Sequence, residues 1–310
     1  MTENKVLIFG AGGFVGRYLA DEFKANGYRV IGSDIRVPEW ADGSFHTNDL
    51  LDHDDVRSLI SSELPQVIIN LAAISSVGQS WKIPQTTISV NVVGSLNILQ
   101  AVKECYDASS MPKVMFIGSS EEYALSDKPL DEGSPLDANN PYGISKMTQE
   151  RFANLYRSEY GIKVYCVRAF NHTGIGQADN FVLPSWCKQA AEIDKSGNPG
   201  TIKVGNLSVR RDFSDVRDIV RAYRMIIERG DPEKIYNVGS GIAHSLEDML
   251  KRIISYSNVD IKYEVDPARI RPTDTPVICC DNSLIKDELG WSPEFDIYDT
   301  LREMFEHYRK

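Results

Sequence analysis

The chain has 310 residues and a formal net charge of −10, from 34 Lys and Arg against 44 Asp and Glu. A chain of this length buries a substantial core without disulfides or structural metals. Its 42% hydrophobic and 25% charged content is that of an ordinary globular protein. The acidic balance excludes a global basic field for nucleic acid, so an anionic ligand would need a local cluster of arginines.

Neither a membrane segment nor a secretion signal is predicted. No stretch approaches the ~20 apolar residues that span a bilayer, and the N-terminal residues pass directly into a strand-like segment. The five cysteines are odd in number and form no CxxC pair, and the five histidines show no metal-ligand spacing. We therefore predict free thiols, a cytoplasmic protein and no metal site.

The first half of the chain alternates short apolar runs with stretches of helical periodicity. Strands are predicted at 5–9, 28–31, 66–69, 113–117 and 163–167, and helices at 14–25, 53–63, 84–107 and 141–160. Short apolar strands separated by helices indicate βαβ units and a buried parallel sheet. The pattern predicts an α/β protein with a Rossmann-type doubly wound parallel sheet over residues 1–170.

The alternation loosens after residue 170, where Gly and Pro become frequent between 174 and 205. Strands are predicted at 201–204, 234–238 and 261–264, and helices at 216–229, 245–256 and 297–309. We interpret residues 171–310 as a smaller C-terminal α/β substrate lobe, with the chain crossing between the two lobes.

Three glycines, Gly10, Gly13 and Gly16, lie between the first predicted strand and helix. Glycine permits a tight turn and close approach to a pyrophosphate, which the N-terminus of the helix would bind. Asp34 follows the second strand, 18 residues after Gly16, where a carboxylate binds a ribose diol and repels a 2′-phosphate. Arg36 lies close enough to help bind a 2′-phosphate, so NAD(H) is favoured and NADP(H) is the alternative. The competing interpretation is a plain glycine turn with a solvated Asp.

Tyr142 and Lys146 are four residues apart, so they share one face of a predicted helix. An ammonium beside a phenol favours its ionised form, and the spacing therefore predicts a lowered pKa for Tyr142. Such a phenol exchanges protons with a carbonyl or alcohol. Ser119 and Ser120 follow a strand, at the edge where α/β sheets bind ligands, and Ser119 would hold the substrate oxygen.

Together these motifs resemble the extended short-chain dehydrogenase/reductase family, whose members act on nucleotide sugars, over essentially the whole chain. Residues 70–73 look like the segment that follows the glycine motif in that family, and Asn91 looks like its central structural asparagine. The resemblance implies a set of cofactor-binding residues: Gly10, Gly13, Phe14, Val15, Gly16, Asp34, Ile35, Arg36, Asp49, Leu50, Leu71, Ala72, Ala73, Tyr142 and Lys146.

Segments 118–123, 168–177, 211–218, 236–241 and 269–274 are similar to the members of this family that reduce GDP-4-keto-6-deoxy-D-mannose. The resemblance implies hydride transfer to C4 of the sugar, with Tyr142 donating the proton, Ser119 hydrogen-bonding the oxygen and Lys146 anchoring the nicotinamide ribose. The product would be GDP-D-rhamnose. The implied substrate-binding residues are Ser120, Asn171, Val182, Arg211 and Arg271.

Three alternatives stay open. Glu121 lies two residues after Ser119, where GDP-mannose 4,6-dehydratases place an acid/base carboxylate, so it is a further candidate catalytic residue and keeps a lyase open. Ser119 in place of the usual threonine, and a shorter chain, favour the reductase. A nucleotide-sugar 4-epimerase is the second alternative. A nucleotide-binding regulatory subunit is the third, although such a subunit normally lacks the Tyr or the Lys.

The helices predicted at 84–107 and 141–160 have more apolar residues than one core face needs. These residues are Ile88, Val92, Leu96, Leu99, Phe152, Leu155 and Tyr156. In the family that the chain resembles, the corresponding helices form a four-helix bundle across a two-fold axis. The resemblance therefore implies a homodimer through these helices.

Overall fold

The computed structural model describes residues 4–41, 43–270 and 275–310. The described strands are β1 (Lys5–Phe9), β2 (Arg29–Asp34), β3 (Phe45–Thr47), β4 (Val67–Asn70), β5 (Lys113–Ser119), β6 (Lys163–Ala169), β7 (Asn171–Thr173), β8 (Gly200–Val204), β9 (Arg210–Asp215), β10 (Ile235–Val238), β11 (Ala243–Ser245), β12 (Ile261–Val265) and β13 (Val277–Ile278). The described α-helices are α1 (Phe14–Ala25), α2 (His53–Glu63), α3 (Val77–Lys82), α4 (Pro84–Ile88), α5 (Gly94–Cys105), α6 (Pro141–Tyr160), α7 (Val182–Ser196), α8 (Val216–Arg229), α9 (Leu246–Ile254), α10 (Ser283–Leu289) and α11 (Ile297–Arg309).

A parallel sheet in the order β3-β2-β1-β4-β5-β6-β10 forms the centre of the molecule. The strand order reverses between β1 and β4, which is the topological switch point where open α/β sheets bind ligands at the carboxyl edge. The predicted doubly wound parallel sheet is confirmed.

Both faces of this sheet are buried because successive residues of each strand point to opposite sides. Val6 and Ile8 of β1 pack into the cluster under α1 and α8, whereas Leu7 and Phe9 pack into the cluster under α2, α5 and α6. The strands therefore need continuous apolar runs, which is why they were recognisable in the sequence.

The helix predicted over 84–107 is interrupted. A π-helical turn at Ser89–Val93 separates α4 from α5. Asn91 in this turn is fully buried. Its side chain accepts a 2.8 Å hydrogen bond from Ile74 N and donates one of 2.8 Å to Ser145 Oγ on α6. The turn places the Asn91 amide between the loop after β4 and α6. Helical periodicity in the sequence does not reveal a π-helical turn, which widens the helix over only one turn.

The C-terminal lobe has its own core, formed by α7, α9 and α11 against β8 and β9. In the described chain, β9 pairs with β7, β11 and β13, and β8 pairs with β12. Helix α7 was not predicted, because Gly and Pro flank it and Pro184 lies in its first turn, where proline is tolerated.

The strand predicted at 234–238 was wrongly placed in the smaller lobe. It is β10, and it extends the central sheet beside β6. The chain thus returns to the first lobe after residue 171. The division of the chain at residue 170 itself stays a prediction.

Within the described ranges, no helix combines the length and the apolar character that crossing a membrane requires. Those ranges also contain no cluster of His, Cys, Asp and Glu that could hold a metal ion. Cys105, Cys166, Cys187, Cys279 and Cys280 are free thiols.

Candidate active site

The glycine turn lies between β1 and α1, at the switch point of the sheet. Gly10 has a φ of +77°, and a Cβ there would lie 2.5 Å from Ala72 N. A Cβ on Gly16 would lie 2.3 Å from the backbone oxygen of Ala11. Both positions therefore require glycine. The N-cap of α1 is Gly13, which makes no side-chain cap, and the first turn has no acidic residue. The start of α1 is therefore suited to a phosphate.

Asp34, the last residue of β2, lies against this turn. Its carboxylate accepts hydrogen bonds from Gly12 N at 3.1 Å and from Ile35 N at 2.8 Å. Ile35 and Arg36 beyond it are exposed. The structure thus brings the acidic group and the glycine turn together, as a ribose-binding site requires.

The segment after β4 forms the second wall of this cleft. Leu71, Ala72 and Ala73 are partly exposed, and Ala72 lies directly under Gly10. Phe14 and Val15 begin α1 and pack against the core from the other side. These residues fit a dinucleotide, because backbone rather than bulky side chains borders the turn.

Asp49 and Leu50, two of the candidate cofactor-binding residues, follow β3. Asp49 is exposed, whereas the side chain of Leu50 is buried against Gly94. Asn48 was missed. It is buried, its N–H donates to Asp34 O at 2.9 Å, and its side-chain amide has no hydrogen-bond partner among the described residues. An unpaired buried amide beside Asp34 is a candidate for hydrogen bonding to a bound ligand.

The candidate catalytic group forms where β5 ends and α6 begins. Ser119 is the last residue of β5, and its side chain lies near enough to the phenol of Tyr142 to lower the pKa of that phenol in part. Tyr142 lies in the first turn of α6, which begins with Pro141 and is capped by Asn140, whose side chain accepts a 2.9 Å hydrogen bond from Gly143 N. The cap and the proline fix the start of the helix, and with it the position of the phenol.

The structure does not show the lowered pKa that the Tyr–Lys spacing predicts. Burial raises the pKa of Tyr142, the carboxyl groups of Glu122 and Glu121 raise it further, and the hydrogen bond from Ser119 lowers it only in part. The phenol is therefore protonated near neutral pH. It is placed to donate a proton rather than to accept one.

Lys146 is buried below Tyr142. Its ammonium donates hydrogen bonds to Ile117 O on β5 at 2.7 Å and to Gln149 Oε1 at 3.3 Å. Burial lowers the pKa of Lys146 to about 8, and the nearby Glu122 opposes this change. Lys146 is thus fixed to the sheet at the base of the site.

Glu121 lies at the mouth of the site. Its carboxylate accepts a 2.8 Å hydrogen bond from the side-chain amide of Asn140. Glu121 and the buried Ser120 line a small cavity that also reaches Asn139 and Ile278. Since Ile278 belongs to β13, this cavity faces the C-terminal lobe, where a substrate would be held.

The candidate substrate residues lie along β7, α7 and β9. Asn171 donates to Asp212 O at 3.3 Å, and Arg211 donates to Thr275 O at 2.6 Å. Val182 is partly exposed at the first position of α7. Arg271 lies outside the described residues.

The ring of His172 packs against the protein and hydrogen-bonds to its backbone. Its ring stacks on Phe14 with centroids 6.5 Å apart, and its Nδ1 lies 3.0 Å from Phe170 O. Burial lowers its pKa, so the ring is neutral at physiological pH.

Two residues around the catalytic group were missed although the sequence contains a signal for each. Asn140 immediately precedes a proline at a helix start, which is an N-cap signature. Glu122 lies three residues after Ser119 and forms a capping box with it. Local capping patterns were therefore informative about the site as well as about the helix ends.

Comparison with known proteins agrees with this geometry. A model of the GDP-mannose 4,6-dehydratase family matches residues 7–304. The chain is 30% identical to the GDP-6-deoxy-D-mannose reductase of Pseudomonas aeruginosa over 97% of this chain and 96% of that protein. It is 25% identical to a GDP-mannose 4,6-dehydratase of Vibrio cholerae over 97% of this chain and 93% of that protein. A solved structure of RMD from Pseudomonas aeruginosa complexed with NADPH superposes with a TM-score of 0.86, at 27% identity, over 99% of this chain and 98% of that one.

Proposed function

Because the chain belongs to the GDP-mannose 4,6-dehydratase family of extended short-chain dehydrogenases/reductases, we propose that it reduces the C4 keto group of GDP-4-keto-6-deoxy-D-mannose. The product is GDP-D-rhamnose. The observation that carries this proposal is that Ser119 at the end of β5 meets Tyr142 and the buried Lys146 at the start of α6, with Lys146 held to Ile117 O of β5 at 2.7 Å. The similarity to a reductase over nearly the full length of both chains supports the same reaction.

The proton chemistry suits a reduction. The substrate gains a hydride at C4 and a proton at O4, so the enzyme must offer a group that is protonated before the reaction begins. Tyr142 meets this requirement because its pKa is raised. Ser119 hydrogen-bonds the same oxygen and stabilises the negative charge that develops on it. Lys146 supplies positive charge beneath the phenol and supports the transfer.

A reduced nicotinamide cofactor supplies the hydride when bound. The glycine turn and the start of α1 would bind its pyrophosphate, and Asp34 would bind a ribose diol. We propose NAD(H) as the preferred cofactor, because a 2′-phosphate would lie against the carboxylate of Asp34. Arg36 is the group that would accommodate NADP(H), the cofactor form named for the Pseudomonas aeruginosa structure.

The GDP part of the substrate needs local positive charge on a chain of net charge −10. Arg211 is proposed to bind the pyrophosphate, since a guanidinium donates two parallel hydrogen bonds to phosphate oxygens. Asn171, Ser120 and Val182 are proposed as further substrate contacts from the sequence resemblance. Arg271 is proposed for the same role from the sequence resemblance.

The decisive experiment is incubation of the purified protein with GDP-4-keto-6-deoxy-D-mannose and NADH. The expected result is stoichiometric oxidation of NADH and appearance of GDP-D-rhamnose, identified by NMR of the sugar. The matched control is GDP-mannose without reductant. Consumption of GDP-mannose in that control would reject the reductase in favour of a dehydratase. Interconversion of C4 epimers without net NADH oxidation would favour an epimerase. Binding of GDP-sugar with no turnover at all would favour a regulatory subunit.

A dehydratase is the second candidate, because Glu121 lines the cavity beside Ser120. Elimination of water across C5 and C6 needs a carboxylate that removes a proton. Here the carboxylate of Glu121 already accepts a hydrogen bond from Asn140, which also caps the helix that holds Tyr142. We therefore propose that Glu121 orients the substrate and moves no proton.

We also propose a homodimer through α4, α5 and α6. The outer surface of these helices and of the π-helical turn between α4 and α5 exposes Ile88, Val93, Ile144 and Leu155. Of the apolar residues counted on these helices, Val92 and Leu99 are buried within the subunit and are not available to a partner. Light scattering at micromolar concentration is expected to give twice the mass of one chain. Leu155→Glu should produce monomers, whereas Leu64→Glu, at an exposed leucine on α2's C-terminal end, should not.

A cytoplasmic location is part of the proposal. The free cysteines support it, because an odd set of unpaired thiols is typical of reducing compartments. Fractionation of the producing cells tests it directly, and recovery in the membrane or secreted fraction would contradict it.

A further inference from the structure

Glu122 lies directly behind the catalytic group. Its Oε1 accepts a 2.7 Å hydrogen bond from the backbone N–H of Ser119, and the side chain is fully buried. Gly118 makes room for it, because a Cβ at that position would lie 2.4 Å from Glu122 Oε1. The end of β5 is therefore shaped around this carboxyl group, and the backbone of Ser119 is held by it.

The second oxygen of Glu122 is buried and has no hydrogen-bond partner among the described residues. Arg168 is the nearest cation at 4.0 Å, but its guanidinium already makes two hydrogen bonds to Glu150, at 2.8 and 3.0 Å. An unpaired carboxylate oxygen in the core is costly, so the neutral acid is favoured there. Burial and the neighbouring Glu150 raise the pKa of Glu122 to about 8.

The groups that face Glu122 come from three elements. They are Lys146, Tyr142 and Glu150 on α6, Arg168 and Cys166 on β6, and the Ser119 backbone on β5. Arg168 and Glu150 form an ion pair, so their opposite effects on the pKa of Glu122 cancel in part. The charge that Glu122 changes is therefore felt by the Tyr142–Lys146 pair.

We propose that Glu122 is a positioning residue that holds Ser119 toward Tyr142 and whose ionisation keeps the proton on Tyr142 and Lys146 as pH rises. The predicted effect on activity rests on the proposed reductase function, whereas the ionisation of Glu122 does not. An ionised Glu122 raises the pKa of both groups, since negative charge disfavours a phenolate and favours an ammonium. When Glu122 ionises at alkaline pH, its negative charge therefore moves the deprotonation of Tyr142 and Lys146 to higher pH. The proton that the reduction consumes is retained over a wider pH range.

A purely structural role would make Glu122 only the third residue of the capping box that begins with Ser119. Glutamine serves a capping box as well as glutamate does. Glu122→Gln therefore keeps the shape and an acceptor for Ser119 N–H, and it removes only the charge. This substitution separates the two roles.

The first test is the pH profile of kcat/KM for the reduction. At about pH 6, where Glu122 is neutral like glutamine, Glu122→Gln should retain activity within about threefold. Its alkaline limb should move to lower pH by about 0.5–1 unit. Glu122→Ala removes the acceptor for Ser119 N–H and should lower kcat at least tenfold at every pH, roughly the cost of an unsatisfied buried donor. The KM for the cofactor should change little. Asp218→Asn is the control, because Asp218 is equally buried but lies on α8. Asp218→Asn should not change the pH at which kcat/KM falls on the alkaline side.

The second test needs no turnover. Infrared difference spectra of wild type minus Glu122→Gln should show the C=O stretch of one protonated carboxyl at about pH 6, and the band should disappear by about pH 9.5. An absent band at the lower pH, or an alkaline limb that does not move, would overturn the proposal. If the band behaves as expected while no 4-keto sugar is reduced, the ionisation of Glu122 stands and the proposed function fails.

Discussion

The side-chain amide of Asn140 donates a 2.8 Å hydrogen bond to the carboxylate of Glu121. Asn140 also caps α6, so one residue connects the carboxylate at the mouth of the site with the helix that positions Tyr142. This arrangement makes Glu121 a fixed acceptor, which is the basis of the first prediction.

Glu121→Gln should change the kcat of the reduction by no more than about threefold, because the amide oxygen of Gln can still accept from Asn140 and no proton moves through this group. Steady-state kinetics with the 4-keto substrate measures the effect. A loss as large as that of Tyr142→Phe would contradict the reductase mechanism and would assign proton transfer to Glu121.

Tyr142→Phe should lower kcat by about 10²–10⁴, since the phenylalanine has no proton for O4. The Kd for the reduced cofactor and the Tm should change little, because the ring and its packing are kept. Fluorescence titration with NADH and thermal unfolding are the controls. A variant that keeps more than about a tenth of wild-type kcat would exclude Tyr142 as the proton donor.

Asp34→Asn should lower kcat/KM for NADH and reduce the preference for NADH over NADPH. The substitution removes the charge that faces a 2′-phosphate, while its amide oxygen can still accept from Gly12 N. Kinetics with both cofactors measures the ratio. In the opposite direction, Arg36→Ala should impair NADPH more than NADH. A wild-type enzyme that prefers NADPH would show that Arg36 outweighs Asp34.

Gly16→Ala should destabilise the fold by roughly 2–4 kcal/mol, because the new Cβ would lie 2.3 Å from a backbone oxygen that cannot move aside. Gly78→Ala is the matched control. Nothing lies within 4 Å of a Cβ at Gly78, which is inside α3, so that variant should be unchanged or slightly more stable. Urea denaturation measures both, and equal effects would exclude close backbone packing as the cause.

Glu122→Gln should also change how stability depends on pH. The pKa of Glu122 is about 8 in the folded chain and 4.5 in its ordinary state. Between these values the folded protein binds more protons than the unfolded protein, so wild-type stability falls as pH rises. Glutamine has no such loss. The variant should therefore gain stability relative to wild type between about pH 5 and pH 8, on the order of 3 kcal/mol. A difference that is constant across this range would place the folded pKa near its ordinary value.

Features set by neighbours in the chain were predictable. The glycine turn, Asp34 at the end of β2 and the bounds of α6 follow from apolar periodicity, glycine positions and the Pro141 and Gly161 signals at the two ends of the helix. The pairing of Tyr142 and Lys146 on one helix face also follows from spacing alone. These properties depend on local geometry, which the sequence determines directly.

Tertiary structure decided the rest. Ser119 meets Tyr142 only because α6 packs on β5, and β10 joins the central sheet although it comes from the second half of the chain. The pKa of Tyr142 is raised rather than lowered, because burial and the carboxyl groups of Glu121 and Glu122 act on it, while the ammonium of Lys146 is held by Ile117 O. Spacing along a helix specifies which groups share a face. It does not specify how much water they lose or which charges other elements bring to them, and those two quantities set the protonation of the site.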